Sequence, residues 1–422
     1  MDRMRIQGGK RLEGTVQVGG SKNAALPILI GAILADGVSN FTRVPNLQDT
    51  RTTLKLLSSL GLRIDGGLEA NRVSIDATHI TGFEAPYELV RTMRASVVVL
   101  GPLLARAGRA KVSLPGGCAI GARPIDFHLA GLERLGAKIE IQGGYVIAEA
   151  KRLRGARIHF DFPSVGATEN VMMAAVLAQG ESVLENCARE PEIVDLARAL
   201  RKMGALIEGE GSEIIQIQGR DRLNGCIHEI MGDRIETGTY LAAGFGTGGK
   251  VRAVGLAPEF LESVLVKFEE AGARITRDPD SIEIQAGIQA GVGPKSVDVT
   301  TLPYPGFPTD MQAQFMAVMA IAGGTSTITE TIFENRFMHV PELARLGADI
   351  TIRGNTATVR GKPFLHGAPL MATDLRASAS LILGGLFARG ETVVDRIYHL
   401  DRGYEHMEKK LQGLGATIAR ES

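Results

Sequence analysis

The residues with the clearest potential for chemistry lie in a glycine-rich stretch at positions 113–128, SLPGGCAIGARPIDFH. It joins a predicted strand, KVSL, to a predicted helix that begins near Asp126. Backbone NH groups in such a loop can approach a ligand closely. Cys118, among glycines and near Arg123, has the surroundings of an exposed, reactive thiol. The alternative is a small buried cysteine at a turn, and we expect that for Cys187 and Cys226.

Other motifs resemble functional sites, but the residues around them exclude that function. GFGTGG at 244–249 matches GxGxxG and is close to a P-loop, but Val251 stands where a P-loop needs Ser or Thr. The following KVRAVG is typical of a strand, so we predict that this segment ends a helix. The eight His residues lack the spacing of a zinc site, and the serine motifs GxSxG and SxxK are absent. We therefore expect no metal and no cofactor.

A repeated helix-to-strand turn organises the whole chain. Each copy has a helix, a small or apolar residue, Gly, one or two residues and then Ile, and the glycines are Gly61, Gly136, Gly204, Gly272, Gly347 and Gly415. The first and fourth, second and fifth, and third and sixth glycines are each 211 residues apart. A glycine directly after a helix adopts the left-handed conformation that reverses the chain into a strand. The pattern predicts six similar units in two sets of three.

Each unit also carries a second helix that is apolar on nearly every side, for example SKNAALPILIGAILADG from Ser21, and is therefore buried. Helices that alternate with short strands predict an α/β fold of two similar domains, each with three repeats around buried helices. The first unit opens at the helix from Ser21. We therefore predict one domain at 21–231 and a second at 1–20 plus 232–422.

The composition excludes several classes of partner. Lys plus Arg and Asp plus Glu both number 47, which gives no reason to expect nucleic acid or an anionic membrane. Three cysteines without a CxxC pair suit a reducing compartment. The longest N-terminal apolar run has 12 residues, too few to cross a bilayer, and no basic segment precedes it. We expect a cytoplasmic protein.

Many segments, in order along the whole chain, are similar to one enzyme family. They are GGSKNAALP at 19–27, TMRAS at 92–96, PGGCAIGARP at 115–124, PSVGATEN at 163–170, AREPEIVDLA at 188–197, DRIETGTY at 233–240, FPTDMQAQF at 307–315, ENRFMHVPEL at 334–343, TDLRASAS at 373–380 and YHLDRGYEH at 398–406. The chain resembles the UDP-N-acetylglucosamine 1-carboxyvinyltransferases, enolpyruvyl transferases with an EPSP synthase-like fold. This resemblance implies βαβαββ-type units in an inside-out α/β barrel, with the active site in an interdomain cleft.

The resemblance also implies the reaction. The enolpyruvyl group of phosphoenolpyruvate would pass to the 3-hydroxyl of UDP-N-acetylglucosamine with release of phosphate, the first committed step of peptidoglycan synthesis. Cys118 matches the general acid that protonates C3 of phosphoenolpyruvate, and Asp310 matches the proposed general base. Addition of an alcohol to an enol ether needs both groups. Lys22 and Arg402 complete the implied catalytic set, and Cys118 would be alkylated by the inhibitor fosfomycin.

Binding residues are implied in the same way. The phosphoenolpyruvate set is Lys22, Asn23, Arg123 and Arg402, whose cations suit a phosphate and a carboxylate. The sugar-nucleotide set is Arg94, Arg123, Pro124, Ile125, Asp126, Phe127, Ser164, Val165, Gly166, Asp310 and Ile332. Arg336 and Arg376 would add positive charge. In one departure, Phe162 stands where some members of the family carry a lysine.

Two alternatives remain open at this stage. The shikimate-pathway enolpyruvyl transferase shares the architecture and the cationic donor site, but it lacks the cysteine loop at 115–124. A repeat scaffold that binds without turnover is the alternative from a different class, and the acid and base candidates Cys118 and Asp310 argue against it. Release of phosphate from the two substrates would separate catalysis from scaffolding.

Overall fold

The computed structural model describes residues 2–91, 93–114, 125–287 and 293–421, without the side chain of Arg94. These residues divide into two units. The 20–231 unit comprises the described residues of Gly20–Gly117 and Arg123–Met231. The 232–421 unit comprises those of Met1–Gly19 and Gly232–Ser422. Short strands alternate with helices in both units, so the predicted α/β class is confirmed.

The first two strands of the chain are β1 (Arg3–Gln7) and β2 (Glu13–Gln17), and both belong to the 232–421 unit. The strands of the 20–231 unit are β3 (Val38–Thr42), β4 (Arg63–Gly67), β5 (Arg72–Asp76), β6 (Glu84–Ala85), β7 (Arg109–Ser113), β8 (Lys138–Gln142), β9 (Tyr145–Glu149), β10 (Arg157–His159), β11 (Glu181–Glu185), β12 (Leu206–Glu208), β13 (Ile214–Gln218) and β14 (Ile227–Glu229). They form the sheets β14-β3-β5-β4, β6-β7-β9-β8 and β10-β11-β13-β12. In each sheet a parallel pair is followed by antiparallel pairs.

The strands of the 232–421 unit continue as β15 (Lys250–Val254), β16 (Arg274–Asp278), β17 (Ser281–Gln285), β18 (Val299–Thr300), β19 (Thr325–Thr329), β20 (Asp349–Arg353), β21 (Thr356–Arg360), β22 (Leu365–His366), β23 (Pro369–Met371), β24 (Ala388–Arg389), β25 (Glu391–Asp395) and β26 (Thr417–Glu421). Its four-stranded sheets are β2-β15-β17-β16, β18-β19-β21-β20 and β23-β25-β1-β26, and β22 pairs with β24. The N-terminal strands thus complete the first and last of these four-stranded sheets.

Helices connect and fill these sheets. They are α1 (Lys22–Gly31), α2 (Gln48–Ser59), α3 (Tyr87–Val90), α4 (Leu100–Ala107), α5 (Asp126–Arg134), α6 (Val165–Ala175), α7 (Pro191–Lys202), α8 (Arg234–Gly246), α9 (Glu262–Glu270), α10 (Gln312–Met319), α11 (Val340–Arg345), α12 (Leu375–Phe387) and α13 (Met407–Gly413). Short 3-10 helices occupy Ala32–Leu34, Leu68–Ala70, Arg94–Val99, Pro258–Leu261, Thr309–Met311 and Ile397–Arg402. The apolar helices α1, α6, α8, α10 and α12 are the buried ones, because they have no polar face to present to water.

The repeated turn has the predicted geometry. All six glycines have a positive φ, from 91° to 105°, and each directly follows the C-cap residue of a helix. A side chain would be strained at such a φ, so glycine is the residue that fits. The interpretation of GFGTGG is also confirmed, since α8 ends at Gly246 and β15 begins at Lys250. No helix in the described parts of the chain is both long enough and apolar enough to cross a membrane.

Candidate functional site

The 232–421 unit contains a carboxylate that two buried arginines hold. Asp310 lies in the 3-10 helix Thr309–Met311, directly before α10. Arg336 Nη2 donates to Asp310 Oδ1 at 2.7 Å. Arg376 donates to Oδ2 through Nε at 3.2 Å and Nη2 at 3.0 Å. The arginine side chains are only 7% and 3% exposed, whereas a quarter of the Asp310 side chain remains accessible.

These contacts determine the charge of Asp310. Burial alone would raise the pKa of its carboxyl group, but the guanidinium groups of Arg376 and Arg336 outweigh burial and hold that pKa well below its ordinary value. Burial alone would lower the pKa of Arg376, but the combined interactions with Asp310, Tyr404 and Asp233 outweigh burial and raise it. Asp310 is therefore an anion throughout the neutral range, and it is a weak proton acceptor in the resting protein.

Packing and capping hold the two arginines in place. Arg376 is in the first turn of α12, where the carboxylate of Asp374 accepts hydrogen bonds from the backbone NH groups of residues 376 and 377 at 2.9 and 3.0 Å. Its guanidinium carbon lies 5.5 Å from the centre of the Tyr404 ring. Arg336 lies 5.1 Å from the centre of the Phe333 ring. Such contacts limit the rotamers of both side chains and aim them at one carboxylate.

A buried polar network lies beneath the Asp310 backbone. The amide nitrogen of Gln314, one turn later, lies 2.9 Å from the Asp310 carbonyl oxygen. It also lies 3.2 Å from the hydroxyl oxygens of Thr239 and Tyr404, which are 2.8 Å from each other. The network connects α8, α10 and the segment that carries Tyr404. It positions the backbone of Asp310 as the arginines position its side chain.

Arg402 ends the 3-10 helix Ile397–Arg402 in the same unit and is half-buried. Residues three apart are aligned on a 3-10 helix, which places His399 on the face of Arg402. Burial lowers the pKa of His399, and the charge of Arg402 lowers it further. The imidazole therefore stays neutral near pH 7, beside the charged guanidinium of Arg402.

The predicted donor-binding residues of the 20–231 unit stand at the start of α1. Ser21 caps this helix by accepting a hydrogen bond from the backbone NH of Ala24 at 3.3 Å. Lys22 and Asn23 follow in its first turn and are half-buried. The ammonium of Lys22 lies 2.8 Å from a carboxylate oxygen of Asp49, whose side chain is 3% exposed. Asp49 thus fixes the position of the lysine on the buried side.

The start of α6 has the same kind of neutral cap. The hydroxyl of Ser164 accepts from the backbone NH of Ala167 at 3.4 Å. A Cβ on Gly166 would lie 3.1 Å from Cε1 of His128, so glycine here lets that ring approach closely. The amide nitrogen of Asn170 lies 3.0 Å from Nδ1 of His128 and holds the ring. A neutral cap leaves the positive end of the helix dipole available to an anion.

For the other predicted site residues, the structure gives the burial of some, and others lie outside the described residues. Ile125 is buried, Asp126 is exposed at the start of α5, and Phe127, Val165 and Ile332 are half-buried. Cys118, Arg123 and Pro124 lie outside the described residues, as does the side chain of Arg94. Cys187 and Cys226 are buried free thiols, as predicted. The described residues contain no group of His, Cys, Asp and Glu suited to a metal ion.

Comparison with known proteins adds evidence from the whole chain. The family model of EPSP synthase (3-phosphoshikimate 1-carboxyvinyltransferase) matches residues 6–411. This chain belongs to the EPSP synthase family. The predicted family is therefore confirmed. The UDP-N-acetylglucosamine 1-carboxyvinyltransferase of Geobacter metallireducens is 57% identical over 420 residues, which cover 100% of this chain and 99% of the relative. The protein of the same name from Shewanella woodyi is 56% identical over the full length of both chains.

Solved structures of family members have the same fold. The enolpyruvyl transferase NikO from Streptomyces tendae superposes with a TM-score of 0.87 at 25% identity, over 99% of this chain and 98% of its own. EPSP synthase from Acinetobacter baumannii has a TM-score of 0.77 at 18% identity over both full lengths. At 18% identity, the likeness to this EPSP synthase concerns the fold alone. Together they agree with the repeated α/β architecture described above.

The structure also contains site residues that the sequence analysis missed. Glu330 is 2% exposed and accepts hydrogen bonds from the hydroxyl of Thr309, which precedes Asp310, and from the backbone NH of Ile332. Thr309 lies between Glu330 and Arg336, and Asp49 pairs with Lys22. His128 lies against Gly166. The adjacency of Thr309 to Asp310 in FPTDMQ was an available signal, whereas the other contacts join residues that are far apart in the sequence.

Proposed function

We propose that this chain transfers the enolpyruvyl group of phosphoenolpyruvate to the 3-hydroxyl of UDP-N-acetylglucosamine and releases phosphate, as the first committed step of peptidoglycan synthesis. The observation that carries the proposal is the 57% identity, over the whole chain, to a relative named for this activity. The charged arrangement around Asp310 supports it, because the reaction needs a fixed anion near a hydroxyl group.

The proposed reaction is an addition followed by an elimination. The sugar 3-hydroxyl oxygen bonds to C2 of phosphoenolpyruvate while its proton passes to a base, and Cys118 gives a proton to C3. The tetrahedral adduct then returns a proton from C3 to the thiolate of Cys118 while the C2–O bond to phosphate breaks. The base passes its proton to the departing phosphate, and the enol ether and inorganic phosphate leave. Atoms and charge balance without a metal or a redox partner.

Asp310 has a particular part in this proposal. With its pKa held well below the ordinary value, the carboxylate first accepts a hydrogen bond from the sugar hydroxyl and orients it. Transfer of the proton becomes favourable only as the oxygen bonds to carbon, because the acidity of the hydroxyl then rises sharply. We propose that Arg336 and Arg376 keep Asp310 ionised and oriented, in addition to contributing positive charge.

The anionic groups of both substrates are proposed to bind to the remaining cations and to a helix N-terminus. Lys22 and Arg402, with Asn23 and Arg123, are proposed to bind the phosphate and carboxylate of phosphoenolpyruvate. The start of α6, with its Ser164 cap, is proposed to face the diphosphate of the sugar nucleotide. Ile332 and the segment 123–127, with Arg94, would complete the sugar-nucleotide contacts.

Several further expectations belong to this proposal. We place the protein in the cytoplasm, supported by the free thiols of Cys187 and Cys226. Neither nucleic acid nor a membrane is proposed as a partner. Fosfomycin is proposed as an inhibitor that alkylates Cys118.

Two measurements test the proposal. The purified chain, given both substrates, is expected to release one phosphate per enolpyruvyl product, and Cys118→Ser is expected to lose most turnover. Absence of phosphate release from the wild-type chain would overturn the proposed function. Cys118→Ser with wild-type rates at every pH would overturn the acid role of the thiol.

Fosfomycin labelling provides a matched control within the chain. Mass spectrometry of the treated protein is expected to find one adduct, on the peptide that contains Cys118. Burial raises the pKa of Cys187 to about 12 and also raises that of Cys226, so these thiols are expected to stay unmodified. An unmodified Cys118 would contradict the proposed inhibition.

A further inference from the structure

We infer that Glu330 is a positioning residue of the proposed reaction, which acts on Asp310 through Thr309 and Arg336 and on the sugar-nucleotide segment through the backbone of Ile332. The inference rests on the proposed function and concerns a residue that the sequence analysis did not predict. It is carried by hydrogen bonds that join a single buried carboxylate to three separate segments of the 232–421 unit.

Glu330 directly follows β19, and only 2% of its surface is exposed. Its Oε1 accepts from the hydroxyl of Thr301 at 2.8 Å and from the backbone NH groups of Ile332 and Phe333 at 2.8 and 3.2 Å. Its Oε2 accepts from the hydroxyl of Thr309 at 2.8 Å. Both oxygens are therefore used, and every one of these partners is a donor.

The contact with Thr309 fixes the direction of the hydrogen bonds that lead to Asp310. A hydroxyl has one proton, and here Glu330 accepts it. The oxygen of Thr309 then accepts from Arg336 Nη1 at 2.9 Å. The other terminal nitrogen of Arg336 donates to Asp310 Oδ1 at 2.7 Å. Through Thr309, Glu330 thus orients the arginine that keeps Asp310 ionised.

The second branch leads to the predicted sugar-nucleotide contact. Two consecutive backbone NH groups, at Ile332 and Phe333, point to the same oxygen of Glu330 and hold the turn after β19. The ring of Phe333 in turn lies 5.1 Å from the guanidinium carbon of Arg336. Glu330 therefore couples the position of Ile332 to the position of the Asp310 carboxylate.

The isosteric variant Glu330→Gln isolates this effect from packing. The amide oxygen has to face the two backbone NH groups, because an NH2 group there would place donor against donor. The amide NH2 then faces Thr309, whose oxygen would accept from both the amide and Arg336 while its own proton loses its acceptor. Arg336 is expected to hold Asp310 less well, so the pKa of Asp310 should rise.

The test compares purified wild-type chain with Glu330→Gln in the phosphate-release assay, with both substrates saturating, from pH 4.5 to 9. We expect kcat to fall by about 10- to 100-fold and the acid limb of its pH profile to move to higher pH. The KM for phosphoenolpyruvate is expected to change less than twofold. Thr309→Val should reproduce these effects. Thr309→Ser keeps the hydroxyl and should behave like the wild-type chain.

Glu236→Gln is the matched control. Glu236 is also a buried acid of this unit, 3% exposed. It accepts hydrogen bonds from the backbone NH of Gly19, the hydroxyl of Tyr240 and the ammonium of Lys410. A purely structural role predicts that both Gln variants lower the melting temperature and leave kcat and its acid limb unchanged. If Glu330→Gln gives that result while the wild-type chain is active, this inference is overturned and the proposed function is not. A wild-type chain that releases no phosphate would overturn the proposed function and this inference with it.

Discussion

Both units hold a carboxylic acid at or near the start of a core helix, but the two acids have opposite surroundings. Asp310, before α10, faces the guanidinium groups of Arg376 and Arg336, which lower its pKa despite burial. Glu169, in α6, is 6% exposed; burial raises its pKa well above the ordinary value, and Glu192 and Glu190 raise it further. The fold accommodates both. The comparison teaches that burial raises the pKa of both acids, and that neighbouring cations decide which acid is available as an anion.

The largest expected effect comes from removal of the anion that faces the arginines. Asp310→Asn should reduce kcat by about 10²- to 10⁴-fold, because it removes the proposed proton acceptor. It should also destabilise the fold by about 3–5 kcal/mol, because Arg336 and Arg376 would be buried without their counter-charge. Phosphate release and urea unfolding measure the two effects.

Glu169→Gln is the matched change in the other unit. It replaces an acid whose pKa is raised by burial, so kcat should stay close to that of the wild-type chain and stability should not fall. Equal losses from Asp310→Asn and Glu169→Gln would break the comparison, since burial alone would then account for both residues.

The next largest effect is expected from removal of one of the two arginines that contact Asp310. Arg336→Met should raise the pKa of Asp310 by removing one of its counter-charges, and kcat at neutral pH should fall by about 10-fold or more. The acid limb of the kcat profile should move to higher pH. Arg345→Met, on the exposed side of α11, is the control and should leave the profile unchanged. An unmoved acid limb in Arg336→Met would show that the arginine has no influence on the reactive anion.

The pH dependence of stability should differ in sign between the two acids. The pKa of Glu169 is raised in the fold, so its contribution is fully present below its unfolded pKa and is lost as pH rises through its folded pKa. The contribution of Asp310 is present above its unfolded pKa and is lost as pH falls through its lower folded pKa. From pH 5 to pH 8, Glu169→Gln should therefore become more stable relative to the wild-type chain. Urea unfolding at both pH values measures this difference, and a constant offset would contradict it.

The smallest expected effect concerns the start of the helix that carries Glu169. Phe162 is 41% exposed, and its carbonyl oxygen accepts from the backbone NH of Ser164 at 2.7 Å. Phe162→Lys adds a cation near the proposed diphosphate position and should lower the KM for UDP-N-acetylglucosamine about two- to fivefold at low salt. The gain should shrink as salt is added. Phe162→Leu is the control, and an equal gain in both variants would argue against an electrostatic cause.

Local features of the fold were predictable from the sequence because their causes are local. A glycine directly after a helix is enough to predict a left-handed turn. A helix that is apolar on every side is predicted to be buried. The helix starts at Lys22 and Val165 follow from their serine caps. These features depend on a few neighbouring residues, so a single sequence is enough to find them.

The network around Asp310 was not predictable in the same way. Asp310 and Arg376 are 66 residues apart, and their pairing depends on how α10 and α12 pack. The sequence analysis assigned Arg336 and Arg376 as supporting positive charge, whereas both donate to Asp310 and depress its pKa. Glu330 gives no signal in a run such as TITETIF, since two of its four donors, Thr301 and Thr309, lie more than 20 residues earlier in the chain.

Carbon-13 NMR of selectively labelled carboxyl groups tests the central claim most directly, with Asp310→Asn and Glu169→Gln spectra to assign the two signals. The account predicts that the Asp310 signal stays at the ionised position from pH 8 down to pH 4, while the Glu169 signal titrates with a midpoint above the ordinary glutamate value. An Asp310 midpoint at or above its ordinary value, or equal midpoints for the two acids, would contradict it.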